Sequence, residues 1–136
     1  MANPDVFRIT MEGQRAAAQA VRAIGDRAYA RFVTNLEDVM ADIFAETQVL
    51  VPVETGALKR SGRVVREAVT ADGVVLSIAY GGPSEPRYVD YAVYVHERLD
   101  VRHAPPTQAK FIEVPMLRYA TVMEARLAAG IRELWR

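Results

Sequence analysis

The chain has 136 residues, of which 51% are hydrophobic and 25% charged, and this composition fits one globular domain with its own core. Its 17 basic and 17 acidic side chains cancel, so no overall field recruits nucleic acid or an anionic membrane. The absence of cysteine excludes disulfides, thiolate metal sites and cysteine nucleophiles. No apolar run approaches the ~20 residues of a membrane span, and the first residues do not resemble a signal peptide. We therefore expect a soluble protein made in a cytoplasm.

The first part of the chain predicts a short strand and a long helix. Residues 6–11 alternate apolar and polar side chains, as a strand does. Between residues 14 and 50 the apolar positions recur at steps of three or four, which indicates an amphipathic helix. Unbroken, about 36 residues would measure roughly 54 Å, against a diameter of roughly 35–40 Å for a compact domain of this size. Either the helix bends near Gly25, or its end lies against something else, such as a neighbouring subunit.

Charges along this helix are segregated by sign. Its first half carries arginines, and its second half carries the acidic residues Glu37, Asp38, Asp42 and Glu46. One interpretation is a solvated face. The alternative is that the acidic half meets the basic residues that follow the helix, within one chain or across a subunit contact; these are Lys59, Arg60, Arg63 and Arg66.

A junction with the sequence VPVETGALKRS follows the helix. Pro52 has no amide hydrogen and disfavours helical geometry in the residue before it, so the helix should end there. Thr55 or Glu54 can cap a new short turn, Gly56 tolerates unusual backbone angles, and Leu58 offers an apolar anchor. Taken alone, this stretch is a linker between a helix and a sheet.

The second half predicts an antiparallel sheet and a final helix. Residues 63–70 and 74–80 flank an Asp-Gly turn and predict a hairpin. Residues 88–96 also alternate and predict another strand, followed by a loop. Pro115 suits the first turn of a helix over about 113–135. We expect a single α+β domain over 1–136: an N-terminal strand, a long helix over about 14–50, an antiparallel sheet of three to four strands within about 60–96, and a C-terminal helix packed on the sheet.

Catalytic chemistry finds little support in the sequence. His96, Glu97 and His103 form the one cluster with metal-ligand residue types. The zinc-protease pattern needs a second histidine four residues after the first, and Asp100 stands there instead. Solvated or hydrogen-bonded side chains are the simpler interpretation, with a small metal-dependent hydrolase as the alternative. No nucleophile elbow or phosphate loop is present in the sequence, and we expect a protein without catalytic activity, metal or cofactor.

A nucleic-acid-binding module is a further alternative. It would combine Arg60, Arg63 and Arg66 with aromatic side chains able to stack on bases, namely Tyr88, Tyr91 and Tyr94. Tyrosines in a predicted strand are more typical of sheet packing.

Three segments, in this order and spacing, resemble one known family. VPVETGALKRS matches the pattern Pro-x-Asp/Glu-Thr-Gly-x-Leu-x-x-Ser, YAVYVHE is close to Tyr-Ala-x-Tyr-Val-x-Glu, and AKFIEVP is similar to Lys-Phe-Leu-x-x-Pro before a terminal helix. Together they resemble the small head-tail joining proteins of long-tailed phages, variously called minor capsid, neck or tail-completion proteins. The resemblance spans about residues 45–135. After Glu97 many relatives continue with Gly-Thr, whereas this chain has Arg98-Leu99.

The resemblance implies a structural protein of a virion, or of a phage-like particle encoded by a prophage. Such proteins assemble as a ring between the portal assembly and the tail, and a tail terminator ring is the alternative within the same biology. The implied partners are copies of itself and neighbouring neck, portal-adaptor or tail proteins, without membrane or sequence-specific nucleic acid, although DNA can pass through the assembled channel. The implied location is the neck or tail region of the virion, after assembly in the host cytoplasm.

Two groups of residues follow from this reading. The motif residues expected to hold the fold are Pro52, Thr55, Gly56, Leu58, Ser61, Tyr91, Tyr94, Glu97, Phe111 and Pro115. The candidate subunit or partner contacts are Glu37, Asp38, Asp42, Glu46, Arg60, Arg63, Arg66, Arg98 and His103, on the long helix, the junction and the loop from Arg98 to Pro106.

Overall fold

The computed structural model describes residues 5–11, 15–53, 56–70, 73–83, 88–100 and 102–133. Within these ranges the chain is α+β, as the sequence predicts. The elements in chain order are β1 (Val6–Met11), α1 (Arg15–Ile24), α2 (Asp26–Leu50), α3 (Ala57–Arg60), β2 (Arg63–Thr70), β3 (Gly73–Gly81), α4 (Ala92–Glu97) and α5 (Glu113–Arg132).

The long helical segment is divided at Gly25. This residue has φ 143° and ψ 170°, a conformation that glycine adopts far more easily than residues with a Cβ, and it separates α1 from α2. Helix α2 has 25 residues, or about 37 Å, which fits within the domain. The bend anticipated from the sequence is therefore present, and helix length no longer argues for a neighbouring subunit. Helix α2 ends at Leu50, directly before Val51 and Pro52, as predicted.

The sheet has three antiparallel strands in the order β1-β3-β2. The predicted hairpin is confirmed: β2 pairs with β3, placing Val64 opposite Ile78, with a register shift between Arg66 and Ala68. Strand β1 pairs on the other side of β3, with Phe7 opposite Tyr80. Being central, β3 is buried along most of its length, whereas β2 forms an exposed edge.

Helix α2 covers one face of this sheet, and α5 packs along α2. Phe32, Leu36, Met40 and Ile43 form the buried stripe of α2 and join Ile78 of β3 in one core cluster. The sequence predicted that α5 would pack on the sheet, but its most extensive contact is with α2. Three strands at ~4.8 Å spacing span about 10 Å, close to the diameter of one helix, so such a sheet face leaves little room for a second helix beside α2.

The strand predicted over residues 88–96 is wrong. Val89 alone bridges to the sheet, through reciprocal backbone hydrogen bonds with Gly82 of 2.6 and 2.8 Å, and residues 92–97 form helix α4. Ala92 and His96, four residues apart, point into the core, while Val93, Tyr94 and Glu97 are exposed. Six residues are too few to separate a helical period from a period of two. Among the described residues, no helix combines the length and apolar content needed to cross a bilayer.

Candidate interaction site

The second and third motif segments meet at His96. This side chain is 1% exposed, and its ring lies between Phe7, with centroids 4.0 Å apart, and Phe111, with centroids 5.0 Å apart. The amide groups of Ile112 and Glu113, at the start of α5, each donate a hydrogen bond of 3.3 Å to His96 Nε2. The first amides of a helix have no partner within it. His96 thus supplies the acceptor that the N-terminus of α5 requires.

These bonds define the state of the His96 ring. Because Nε2 accepts, the proton of the neutral imidazole is on Nδ1, which donates to Glu97 Oε1 at 2.7 Å. Burial lowers the pKa of His96 below its usual 6.5, and the hydrogen bond to Glu97 only partly opposes this effect. The histidine is therefore neutral at pH 7 and acts as a fixed structural group.

Glu97 and Lys110 form a second link between the same segments. Lys110 Nζ lies 2.6 Å from Glu97 Oε2 and 3.3 Å from Glu113 Oε2, and the Lys110 amide donates to the His96 carbonyl at 2.8 Å. The hydrogen bond from Lys110 lowers the pKa of Glu97, and Glu97 raises the pKa of Lys110. Lys110 has φ 57°, a left-handed conformation that is unfavourable outside glycine. The contacts with Glu97, Glu113 and the His96 carbonyl stabilise Lys110 in this conformation.

The first motif segment is attached to β3. The Gly81 amide donates to the Ser61 hydroxyl at 2.9 Å, and Arg63 Nη1 donates to the carbonyls of Ser61 and Gly81 at 2.6 and 3.0 Å. A Cβ on Gly62 would lie 2.5 Å from the ring of Tyr80, so only glycine fits without a shift. The motif serine therefore anchors the junction to the central strand.

Tyr80 connects this region to α2 and to the segment before α5. Its hydroxyl forms hydrogen bonds with Thr47 at 2.7 Å and Gln48 at 2.6 Å, and its ring meets Phe111 edge to face at 5.1 Å. Burial raises the pKa of Tyr80, so the hydroxyl stays protonated. Pro115 is buried in the first turn of α5. Thr55 lies outside the described residues.

A groove of about 510 Å³ lies where the junction faces α4 and the loop after it. Pro52, Gly56 and Leu58 line one side, and Tyr91 and Tyr94 line another. The loop after α4 contributes five further lining residues, which are Arg102, His103, Ala104, Pro105 and Thr107. Two segments that the sequence proposed as contact surfaces, the junction and the loop, thus meet in one place.

Tyr94 is 54% exposed at the edge of this groove. The Arg98 guanidinium lies 4.8 Å from the centre of its ring and donates to its hydroxyl at 2.9 Å. The same guanidinium binds Asp100 through two hydrogen bonds of 2.7 and 2.6 Å. Asp100 raises the pKa of Arg98, and Arg98 lowers the pKa of Asp100 to about 2. The charge of Arg98 is thus balanced within its own loop.

Most acidic residues proposed as subunit contacts have partners within the chain. Glu37 of α2 pairs with Arg66 of β2, as one of the two sequence interpretations allowed. The other pairs are Glu46 with Arg118 at 3.0 Å and Asp42 with Arg126 at 2.8 Å. In both, α5 supplies the arginine, which the sequence analysis did not anticipate. The contacts run in opposite directions along the two helices, so α2 and α5 are antiparallel.

Two of the residues proposed as subunit or partner contacts are exposed and not engaged in an ion pair with a described residue. Asp38 and Arg60 are exposed, and neither has an ion-pair partner within the residues that the structure describes.

The structure does not assemble the proposed metal site. Both ring nitrogens of His96 are occupied, one by helix amides and one by Glu97, whereas His103 lines the groove. In the described part of the chain, no three His, Cys, Asp or Glu side chains are grouped to hold a metal ion. Two arginines of the nucleic-acid alternative already have partners within the chain: Arg63 donates to the carbonyls of Ser61 and Gly81, and Arg66 pairs with Glu37.

Comparisons of the chain with models of known protein families, with curated proteins and with solved structures find no match. The resemblance to head-tail joining proteins therefore depends on the three motifs themselves and on their arrangement.

Proposed function

We propose that this chain is a structural protein of the head-tail connection of a long-tailed phage or phage-like particle. It acts through contacts with copies of itself and with neighbouring neck, portal-adaptor or tail proteins. In this role the chain needs a rigid fold and specific surfaces, and it performs no chemistry.

The observation that best supports this proposal is the convergence of the three motif segments. The second and third are joined through His96, Glu97 and Lys110, and the first faces the second across the groove. The three motif segments, which are separated in the sequence, thus form one connected unit: the junction, α4 and the start of α5. This arrangement is consistent with a family pattern that describes one structural unit.

The test is removal of the gene from the phage or prophage that carries it, followed by electron microscopy of the lysate. We expect filled heads and complete tails that remain separate, and restoration of joined virions by a plasmid copy of the intact gene. A plasmid copy with an early stop codon is the control. Normal yields of joined virions without the gene would contradict the proposal, and tails of unregulated length would favour the tail terminator alternative.

A further inference from the structure

The groove beside Tyr94 has the size and the lining of a ligand site. Its volume of about 510 Å³ lies within the ~300–1,000 Å³ typical of such pockets. Leu58 and Val95 contribute apolar surface, and Tyr91 and Tyr94 contribute aromatic surface. Val53, at the rim, is 55% exposed although it is apolar. This part of the lining favours an apolar side chain.

Among the described residues, the charged groups at the groove are positive. Arg102 lines the groove directly, and a Cβ placed on Gly56 would lie 2.6 Å from the Arg60 guanidinium, so Arg60 stands against the wall that Gly56 forms. Neither arginine has an ion-pair partner among the described residues, and no described acidic residue lines the groove. Arg98, nearby, is already balanced by Asp100.

His103 adds a polar group that lacks a partner. Its Nε2 atom is buried, yet no described residue forms a hydrogen bond with it. A buried polar atom without a partner is costly, but because this atom is buried, a ligand in the groove reaches it only if the His103 ring turns.

From these features we propose that the groove binds a short acidic peptide segment of another protein. An apolar side chain of the peptide packs against Tyr91, Leu58 and Val95, and a neighbouring carboxylate pairs with Arg102 and Arg60. As a contact made during particle assembly, this inference rests on the proposed function, but peptide binding is measured on the isolated protein and can fail independently.

A carboxylate peptide fits this lining better than the other occupants do. Nucleic acid binding relies on many phosphate contacts, whereas the lining of this groove is mostly apolar and aromatic. Arg102 lines it and Arg60 lies beside the Gly56 wall, and neither arginine has an ion-pair partner among the described residues. The chain as a whole carries no net charge. A second copy of the chain is the remaining occupant, and self-association at the groove would reveal it.

The experiment is selection from a displayed library of random short peptides on the purified full-length protein, followed by titration of the selected peptides. We expect sequences that combine at least one Asp or Glu with a nearby aliphatic or aromatic residue. Changing that acid to its amide should weaken binding roughly tenfold, which corresponds to about 1.4 kcal/mol.

Matched protein variants locate the binding site. Arg102→Glu should weaken binding roughly tenfold or more, because the reversed charge repels the carboxylate, and Arg102→Lys should retain most of the affinity. Arg31→Glu is the control, since it makes the same charge change at an exposed position of α2, away from the groove. Selected peptides without acids, no selection above the Arg102→Glu background, or equal losses in both Glu variants would overturn the proposal.

Two further readouts separate the other occupants. Tighter binding of a single-stranded oligonucleotide than of any selected peptide, lost in Arg102→Glu, would replace the peptide with nucleic acid. Self-association in light scattering that the same variant abolishes would replace it with a second copy. In either case, joining of heads and tails could still depend on this protein.

Discussion

Replacing His96 with leucine removes the acceptor at the start of α5 while keeping a buried side chain of similar size. The amides of Ile112 and Glu113 then lose their shared partner, Nε2, and Glu97 loses its bond from Nδ1. Ile112 is fully buried, so water cannot easily replace the lost acceptor. A buried donor left without an acceptor costs about 1–3 kcal/mol.

We therefore expect His96→Leu to lower the free energy of unfolding by about 1–3 kcal/mol at pH 7.5, measured by urea denaturation. His103→Gln is the matched control, because His103 is the other of the two histidines and lies in the groove. A loss below about 0.5 kcal/mol in His96→Leu, or an equal loss in His103→Gln, would refute the role assigned to Nε2.

The pH dependence of stability gives the same prediction a second readout. Burial lowers the pKa of His96 in the folded state, so below pH 6.5 the unfolded chain binds more protons than the folded one. The contribution of neutral His96 is thus complete above pH 6.5 and declines as the pH falls below it. The slope from one group is at most about 1.4 kcal/mol per pH unit. His96→Leu should lose this slope and His103→Gln should keep it; a slope retained in His96→Leu would contradict the assignment.

Three further predictions concern packing, surface charge and metal. Gly62→Ala should lower the melting temperature, because the added Cβ would lie 2.5 Å from the Tyr80 ring. Gly73→Ala is the control and should leave the melting temperature unchanged, since no atom lies within 4 Å of its Cβ. Equal shifts in the two variants would contradict the packing of Gly62 against Tyr80. Arg118→Met should lower the free energy of unfolding by less than about 1 kcal/mol in urea denaturation, because its ion pair with Glu46 is partly solvated. A larger loss would show that this pair stabilises the fold more than surface ion pairs usually do. Added Zn²⁺ should leave the melting temperature unchanged, and a rise would support the alternative of a metal-dependent hydrolase.

Local signals were sufficient to predict the elements with strong boundaries. Pro52 ends α2 at the expected place, Gly25 interrupts the long helix, and the Asp-Gly turn correctly predicts that β2 and β3 are paired. Each of these depends on the backbone preferences of one or two residues, which the sequence shows directly.

Features that depend on distant contacts were not predictable in this way. The position of α5 follows from the narrow width of a three-stranded sheet, and α4 was mistaken for a strand because its six residues fit both periods. The sequence favoured a solvated or hydrogen-bonded His96 over a metal ligand, but it could not identify the partners, because they are backbone amides 16 and 17 residues away. Arg102 was not singled out from the sequence, because a single arginine in a loop has no distinguishing pattern until the fold places it in the groove.

The most direct test of the proposed role is to locate the protein in the particle. Purified virions of the phage that encodes this chain would be labelled with gold-conjugated antibody against it and viewed by electron microscopy. The account predicts label at the junction of head and tail in joined virions, and no label at the tail tip or over the capsid shell. Absence of the protein from purified virions, or label elsewhere on the particle, would contradict it.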